Sequence, residues 1–373
     1  MNIGFVSLEN PYSKNNNGGI GTYTGIMMKA LSAKGHKVCF FTIGKEKDYR
    51  VRNTNIFVYF IYNMHTKYSN YFEVSYLIYR KVMDVHFKHG LDIIETPEWL
   101  AQGYVLAVER KIPLITRLHT PLFLLKKITP EQVYYKEEEL IMKLEEQQCK
   151  RSSIVTTPSF SLGEILGKEW GINSIYIPNP IEIEEDEGYQ ELSDYILYMG
   201  RLEYRKGILD FAYAIKDFFK INQKTKVIIC GRDTVYMKKS IKKQIIEICN
   251  DYLGRIIFID HISGEEKRVV IKKAIAVVLP SIWENCSYVA LESMSYGKTV
   301  IVSNSGGFIE MINDGVDGYK FEVNNVRKLS DLMFNISCRA IKDTGMEAKK
   351  KVMSVYDVKK VAKQYEEIIY KII

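Results

Sequence analysis

The chain has 373 residues, too many for one ordinary hydrophobic core, so two domains are expected. Its 46% hydrophobic and 26% charged residues mark a soluble globular protein, and the lack of any 18-residue apolar run excludes a transmembrane helix. The net charge of +7, mixed in sign along the chain, suits anionic substrates or an anionic membrane surface and gives no argument for nucleic acid.

The N-terminal stretch MNIGFVSLEN enters a strand directly, without a basic n-region, so no signal peptide is expected. The six cysteines are scattered and none has C-x-x-C spacing. A reduced, cytoplasmic protein without a zinc site is the expectation. Strand candidates follow in chain order: NIGFVS, HKVCFFT, DIIET, PLITRL and SIVTTP, then YILYMG, KVIICG, RIIFID, IAVVLP and TVIVSN. Several are continuous apolar runs, as parallel strands buried on both faces require. Their alternation with helical patterns predicts an α/β fold with two facing Rossmann-like, doubly wound domains and an interdomain cleft. The predicted divisions are 1–180, an acidic linker at 181–194 that follows Pro178 and Pro180, 195–355, and a helix at 356–373 that closes the second domain or crosses back to the first.

After the first strand comes NPYSKNNNGGIGTYTG, with Gly18, Gly19, Gly21 and Gly25 ahead of a helix. Three readings compete. A dinucleotide fingerprint is disfavoured, because about ten residues separate strand and glycines and no acidic residue ends the second strand. A plain turn is the second. The third is a helix N-terminus whose amides approach an anionic or hydroxylated ligand. Further on, the aromatic segment Asn55–Lys81 reads as a strand plus an amphipathic helix, or as an acceptor- or membrane-facing patch. His86 and His89 fit a solvated helix face better than a metal pair.

The second half carries more chemistry. In YILYMGRLEYRKGILDF, a buried strand is followed by Arg201, Arg205, Lys206 and Gly207, cations placed for a diphosphate at a strand's carboxyl end. In PSIWENCSYVALESMSYGKTVIVSNSGG, Glu284 precedes a helix predicted from about Ser287 to Tyr296, with Gly297 beyond it. The amides of Ser287, Tyr288 and Val289 open that helix and suit an anion. Glu292, eight residues after Glu284, can accept two hydrogen bonds from vicinal hydroxyls. Eight residues at helical rise span about 12 Å, too far apart for a hydrolase carboxylate pair.

G-R-L-x-x-x-K-G, followed by P-S-x-x-E-N, L-E-x-M-x-x-G-K and G-G-x-x-E, resembles the retaining group 1 glycosyltransferases, glycosyltransferase family 4, of GT-B fold. The G-G-x-G before a helix, D-I-I-E-T-P-E-W and R-L-H-T-P with His119 are similar to the same family, so the resemblance covers nearly the whole chain. It implies that Arg201 and Lys206 bind the diphosphate of a UDP- or GDP-sugar and that Glu292 holds the ribose. Glu284 would contact the donor sugar near the reacting centre, and the amides of Ser287 to Val289 would face phosphate or sugar. Gly18 and Gly19 would bring backbone to the donor, and His119 would face the donor sugar or acceptor. The acceptor is expected to be a glycan or lipid-linked hydroxyl, and the net positive charge with the aromatic segment Asn55–Lys81 suggests peripheral contact at the inner face of the cell membrane. No cofactor and no metal are expected, since the chain has no Asp-x-Asp. Two positions depart from the family pattern: Cys286 replaces a usual aromatic and Ser287 a common glycine. The remaining alternatives are a nucleotide-sugar epimerase of the same architecture and a non-catalytic nucleotide-sugar-binding protein.

Overall fold

The computed structural model describes residues 1–13, 18–62, 71–184 and 194–373. Parts of the polar loop before Gly18, of the aromatic segment and of the acidic linker therefore lie outside the described residues. The chain forms two compact units, Met1–Glu182 with Asp357–Ile373, and Ile183–Tyr356.

In the first unit the strands are β1 (Asn2–Val6), β2 (Lys37–Ile43), β3 (Tyr49–Arg50), β4 (Ile56–Ile61), β5 (Ile93–Pro97), β6 (Leu114–Arg117), β7 (Ile154–Thr157) and β8 (Ile175–Tyr176). They form one sheet in the order β3-β4-β2-β1-β5-β6-β7-β8, parallel except where β3 meets β4. Ile3 lies opposite Val38 on one side and Ile93 on the other, and all three are fully buried. That two-sided burial is why these strands read as unbroken apolar runs. The winding reverses between β1 and β5, so the loops after those strands flank the switch point where ligands of such sheets bind.

The helix Val358–Ile369 completes this unit. Asp357 caps it by accepting from the Lys359 amide at 2.8 Å, and the Val358 amide donates to the Ile181 carbonyl at 3.0 Å. Tyr365, fully buried, stacks on Phe5 with ring centroids 6.2 Å apart. Burial of one such ring stabilises by about 1.5–3 kcal/mol. Glu366 lies 2.7 Å from both Lys34 Nζ and His36 Nε2.

The second unit holds β9 (Tyr195–Met199), β10 (Lys226–Cys230), a short hairpin of β11 (Val235–Tyr236) and β12 (Lys239–Ser240), then β13 (Ile256–Ile259), β14 (Ala276–Leu279), β15 (Thr299–Ser303) and β16 (Tyr319–Phe321). Its main sheet runs β13-β10-β9-β14-β15-β16, all parallel. Ile208, Phe211, Ala212, Ile215, Phe218 and Phe219 of the helix Ile208–Ile221 are buried at helical spacing, the apolar stripe that seats it on the sheet. The switch point here lies between β9 and β14, the two strands whose following segments carry the basic turn and Glu284.

Those segments approach closely at Gly207. Its φ is +65°, and a Cβ there would lie 1.8 Å from the Pro280 carbonyl oxygen. We expect Gly207→Ala to destabilise the second unit by about 3 kcal/mol, through backbone strain and a clash that cannot relax. Gly254, with open space around it, is the control. Urea unfolding midpoints should separate Gly207→Ala from Gly254→Ala; equal midpoints would contradict the close approach.

Candidate functional site

Three loops at the carboxyl ends of β9, β14 and β15 are stitched together. The Ile282 amide donates to the Arg205 carbonyl at 2.9 Å, and the Gly307 amide to the Glu284 carbonyl at 2.8 Å. The Ser305 hydroxyl donates to the Ile282 carbonyl and the Ser303 hydroxyl to that of Ser281. Gly306 has φ +55° and would place a Cβ 2.1 Å from the Glu284 carbonyl oxygen, so glycine is required where β15's loop meets β14's.

Within this frame Lys206 forms an ion pair with Glu284. The Ser281 hydroxyl also donates to Glu284, at 3.3 Å. Burial pushes the Glu284 carboxyl up, but Lys206 and Arg205 outweigh it, and the group sits below the usual carboxylate range. Glu284 is therefore a carboxylate at neutral pH. Burial, with Arg205 adding to it, lowers the Lys206 pKa against the pull of Glu284. Two residues expected to serve different parts of a ligand thus neutralise one another in the structure. A diphosphate would offer Lys206 a second anionic partner.

The other two arginine positions differ in kind. Arg201 is 62% exposed and, among the described residues, pairs only with Glu203, at 3.4 Å, so its guanidinium can turn to a ligand at little cost. Arg205 is mostly buried. It reaches Glu203 at 3.4 Å and donates to the Trp283 carbonyl at 3.3 Å, which makes it a brace between loops.

The helix after Glu284 spans Tyr288–Ser295 and is capped by Ser287, whose hydroxyl accepts from the Ala290 amide at 3.4 Å. Serine in place of glycine at this position supplies a cap. Cys286 is buried. Glu292 meets Lys267 of the helix Gly264–Lys273, with Nζ 2.6 Å from one carboxylate oxygen and 2.5 Å from the other. Lys267 had no signal in the sequence beyond being one lysine among many.

In the first unit, Gly18 is the extended residue before the helix Gly19–Ala33. A Cβ on Gly18 would meet the Glu9 carboxylate at 2.3 Å, whereas Gly19 has open space around its α-carbon. The Gly21 amide already donates to Glu9, at 2.7 Å. The protein's own carboxylate thus takes one of the helix-end amides that were expected to meet a ligand, and Gly19 keeps the open approach.

His119 follows β6. Its amide donates to both oxygens of Glu98, at 2.8 Å each, and its ring lies edge-on to Tyr23, 5.7 Å between centroids. Burial, helped by Arg117, holds its pKa well below the ordinary histidine value, so the imidazole is neutral. Tyr23 belongs to the glycine-led helix, which brings that element and His119 together. The Arg117 guanidinium lies 4.4 Å over the Tyr23 ring. It donates to the Ile177 carbonyl at 2.7 Å and to Asn179 at 2.8 Å. The Tyr23 hydroxyl donates to Glu95 at 3.3 Å, and burial pushes that carboxyl up to about 7 against Arg117, Tyr365 and Tyr23. Sequence reading missed this support. Glu95 and Glu98 stand in the quoted D-I-I-E-T-P-E-W, but nothing local tells a buried brace from a solvated carboxylate.

Comparison with known proteins bears on these geometries. Residues 181–337 match the family model described as glycosyl transferases group 1, and residues 17–185 the one described as glycosyltransferase family 4. An uncharacterized glycosyltransferase of Methanocaldococcus jannaschii is 31% identical over 184 residues, 47% of this chain. The chain covers 44% of that relative's length. Sucrose-phosphate synthase from Thermosynechococcus elongatus is similar in structure with a TM-score of 0.83 at 19% identity, over 99% of this chain and 98% of that one. The Anabaena protein HepE in complex with UDP-glucose gives 0.74 at 16%, over 100% of both chains. At these identities the two structures share the fold.

Proposed function

Because the chain belongs to the group 1 glycosyltransferases, of GT-B fold, we propose that it moves a sugar from a nucleotide-diphosphate sugar to a hydroxyl acceptor. The reading assigns retention of anomeric configuration, no divalent metal, and an acceptor that is a glycan or lipid-linked glycan of the cell surface. The donor is a UDP- or GDP-sugar; the UDP-glucose bound by HepE favours UDP. The observation that carries the reading is the pairing of Lys206 with Glu284 beside Arg201, at the switch point of a doubly wound sheet.

In the proposed mechanism the acceptor oxygen attacks the anomeric carbon on the face the diphosphate leaves. The glycosyl–oxygen bond to the diphosphate breaks, the new glycosidic bond forms, and the departing diphosphate oxygen takes the acceptor's proton. The protein's task is to stabilise charge gathering on that diphosphate. Lys206, Arg201 and the amides opening the helix Tyr288–Ser295 are assigned to it. Glu292, steadied by Lys267, takes the ribose hydroxyls, and Glu284 takes the donor sugar. Gly18 and Gly19 are assigned to backbone contacts with the donor. His119, neutral, is assigned to hydrogen bonding with sugar or acceptor rather than to carrying charge.

Release of nucleoside diphosphate tests the reading. Release that requires an added acceptor supports transfer. Acceptor-independent conversion of the donor would indicate the epimerase, and binding without turnover a non-catalytic protein. Lysine and arginine are fixed charges that persist when metal is chelated. We therefore expect the transfer rate to survive EDTA treatment and desalting. Activity that is lost and returns with Mn²⁺ or Mg²⁺ would refute metal independence.

Among the described residues no helix is long and apolar enough to cross a membrane. A cytoplasmic protein meeting the membrane at its surface is the reading that fits a lipid-linked acceptor. Phe72 and Tyr76 on the helix Tyr71–His89, about half exposed, support a contact there.

A further inference from the structure

The hairpin β11–β12 lies outside the main sheet of the second unit and serves no role in the proposed mechanism. Its turn is formed by Met237 and Lys238, both with positive φ, +50° and +62°. Two consecutive residues of that kind define the primed hairpin turn, for which Asn-Gly or Gly-Gly is strongly preferred. A methionine and a lysine here hold an unfavourable backbone conformation. Strain kept at an exposed tip points to a use for the side chains it carries.

Those side chains have a pattern. Val235, the first residue of β11, and Met237, in the turn, are large apolar groups 67% and 73% exposed. Around them, between Arg232 and Lys243, stand five cations and one carboxylate. The carboxylate, Asp233, is occupied within the hairpin, accepting from the Ser240 hydroxyl at 2.6 Å and the Lys242 amide at 2.9 Å. Lys239 pairs with Glu247, and Lys242 lies 5.1 Å over the Phe258 ring. Arg232, Lys238 and Lys243 are exposed. The hairpin is held in place: the Tyr236 ring stacks flat on Tyr204, centroids 4.1 Å apart and planes 6° from parallel. The Leu202 amide donates to the Arg232 carbonyl at 2.9 Å, and the Thr234 hydroxyl to the Leu202 carbonyl at 2.5 Å. The hairpin is thus fastened to the turn that carries Arg201 and Lys206.

We propose that the hairpin Val235–Ser240 is a docking wedge for an anionic lipid surface, with Val235 and Met237 entering the apolar boundary and Arg232, Lys238 and Lys243 facing the head groups. Exposed apolar side chains on the hairpin within a cationic rim match both layers of such a surface, and charge complementarity selects anionic over zwitterionic lipid. Because the wedge is tied to Leu202 and Tyr204, docking would also steady the proposed diphosphate turn. The inference extends the reading of a membrane-borne acceptor, but its test reads binding alone and stands apart from catalysis.

The test is co-sedimentation with vesicles of phosphatidylcholine, with and without phosphatidylglycerol, at low and high salt. The chain should bind the anionic vesicles at low salt and release from them as salt rises. The informative variant is Met237→Asn with Lys238→Gly, which installs the favoured turn while removing the wedge. It should keep or raise the thermal midpoint and lower the anionic-vesicle partition by about tenfold. Full binding by that variant would overturn the proposal, as would absence of binding by the parent chain. So would binding lost in a Phe72→Ser, Tyr76→Ser chain but kept in the Asn-Gly chain, which would assign the surface to the helix Tyr71–His89.

Discussion

Lys206→Ala is expected to lower kcat/KM by roughly 10²–10³-fold, the range seen when one preorganised donor to developing negative charge is removed. Lys206 combines three properties in one position. It is anchored on a turn closed by Gly207, whose backbone no other residue reproduces without strain. It is only 21% exposed, so its charge is screened less than a surface lysine's. It already bears on Glu284, so it needs no long search to meet a phosphate. Lys206→Arg restores the charge but presents a planar fork instead of a point donor, and it should recover only part of the rate. Arg201→Ala should cost less, since that side chain starts from solvent. The loss in Lys206→Ala should be the same with and without added Mg²⁺. Rescue by metal would mean that a cation can take the lysine's place at the diphosphate.

Glu284→Gln and Glu292→Ala should fail in different ways. Glu284→Gln removes a charge while keeping the shape, and it leaves Lys206 without its anionic partner. Turnover should drop by about 10² or more, as for loss of a group acting in the transition state. Affinity for the free nucleoside diphosphate should hold or rise, because Lys206 no longer has to exchange partners. Glu292→Ala should instead weaken that nucleotide by roughly tenfold, the worth of one hydrogen-bonding charge at about 1.5 kcal/mol. Titration calorimetry with the nucleotide alone separates the two. Equal loss of nucleotide binding in both variants would refute the division of roles. The Glu284 variant should also be slightly less stable, since a mostly buried ammonium loses its counter-charge.

How much of this was legible depended on the range of each interaction. The parallel strands stand out because burial on both faces writes a continuous apolar run into the sequence, as in YILYM and TVIVS. The helix Tyr288–Ser295 could be placed from its ends, with Ser287 capping one and Gly297, at φ +70°, following the other. Strands of two or three residues, β3, β8, β11, β12 and β16, carry too little pattern to be recognised. Pairings across the chain had no local trace. Lys206 and Glu284 are 78 residues apart, and His36 meets Glu366 across 330. For the same reason the residues of the basic turn could be named from sequence but not sorted. Only the structure separates Arg205, braced on the Trp283 carbonyl, from Arg201, mostly exposed and in reach of Glu203 alone among the described carboxylates. The glycine cluster is an intermediate case. Its position before a helix was readable, but the carboxylate of Glu9 against Gly18 and Gly21 was not.

The central claim is that the second unit holds a nucleoside diphosphate through Lys206. Its most direct test is the thermal shift of the parent chain and of Lys206→Ala with UDP-, GDP- and ADP-sugars, and with a CMP-sugar, which has a single phosphate. The account predicts that at least one diphosphate donor raises the parent's midpoint, that the CMP-sugar does not, and that Lys206→Ala abolishes the rise. A shift of equal size in Lys206→Ala, or none with any diphosphate donor, would contradict it.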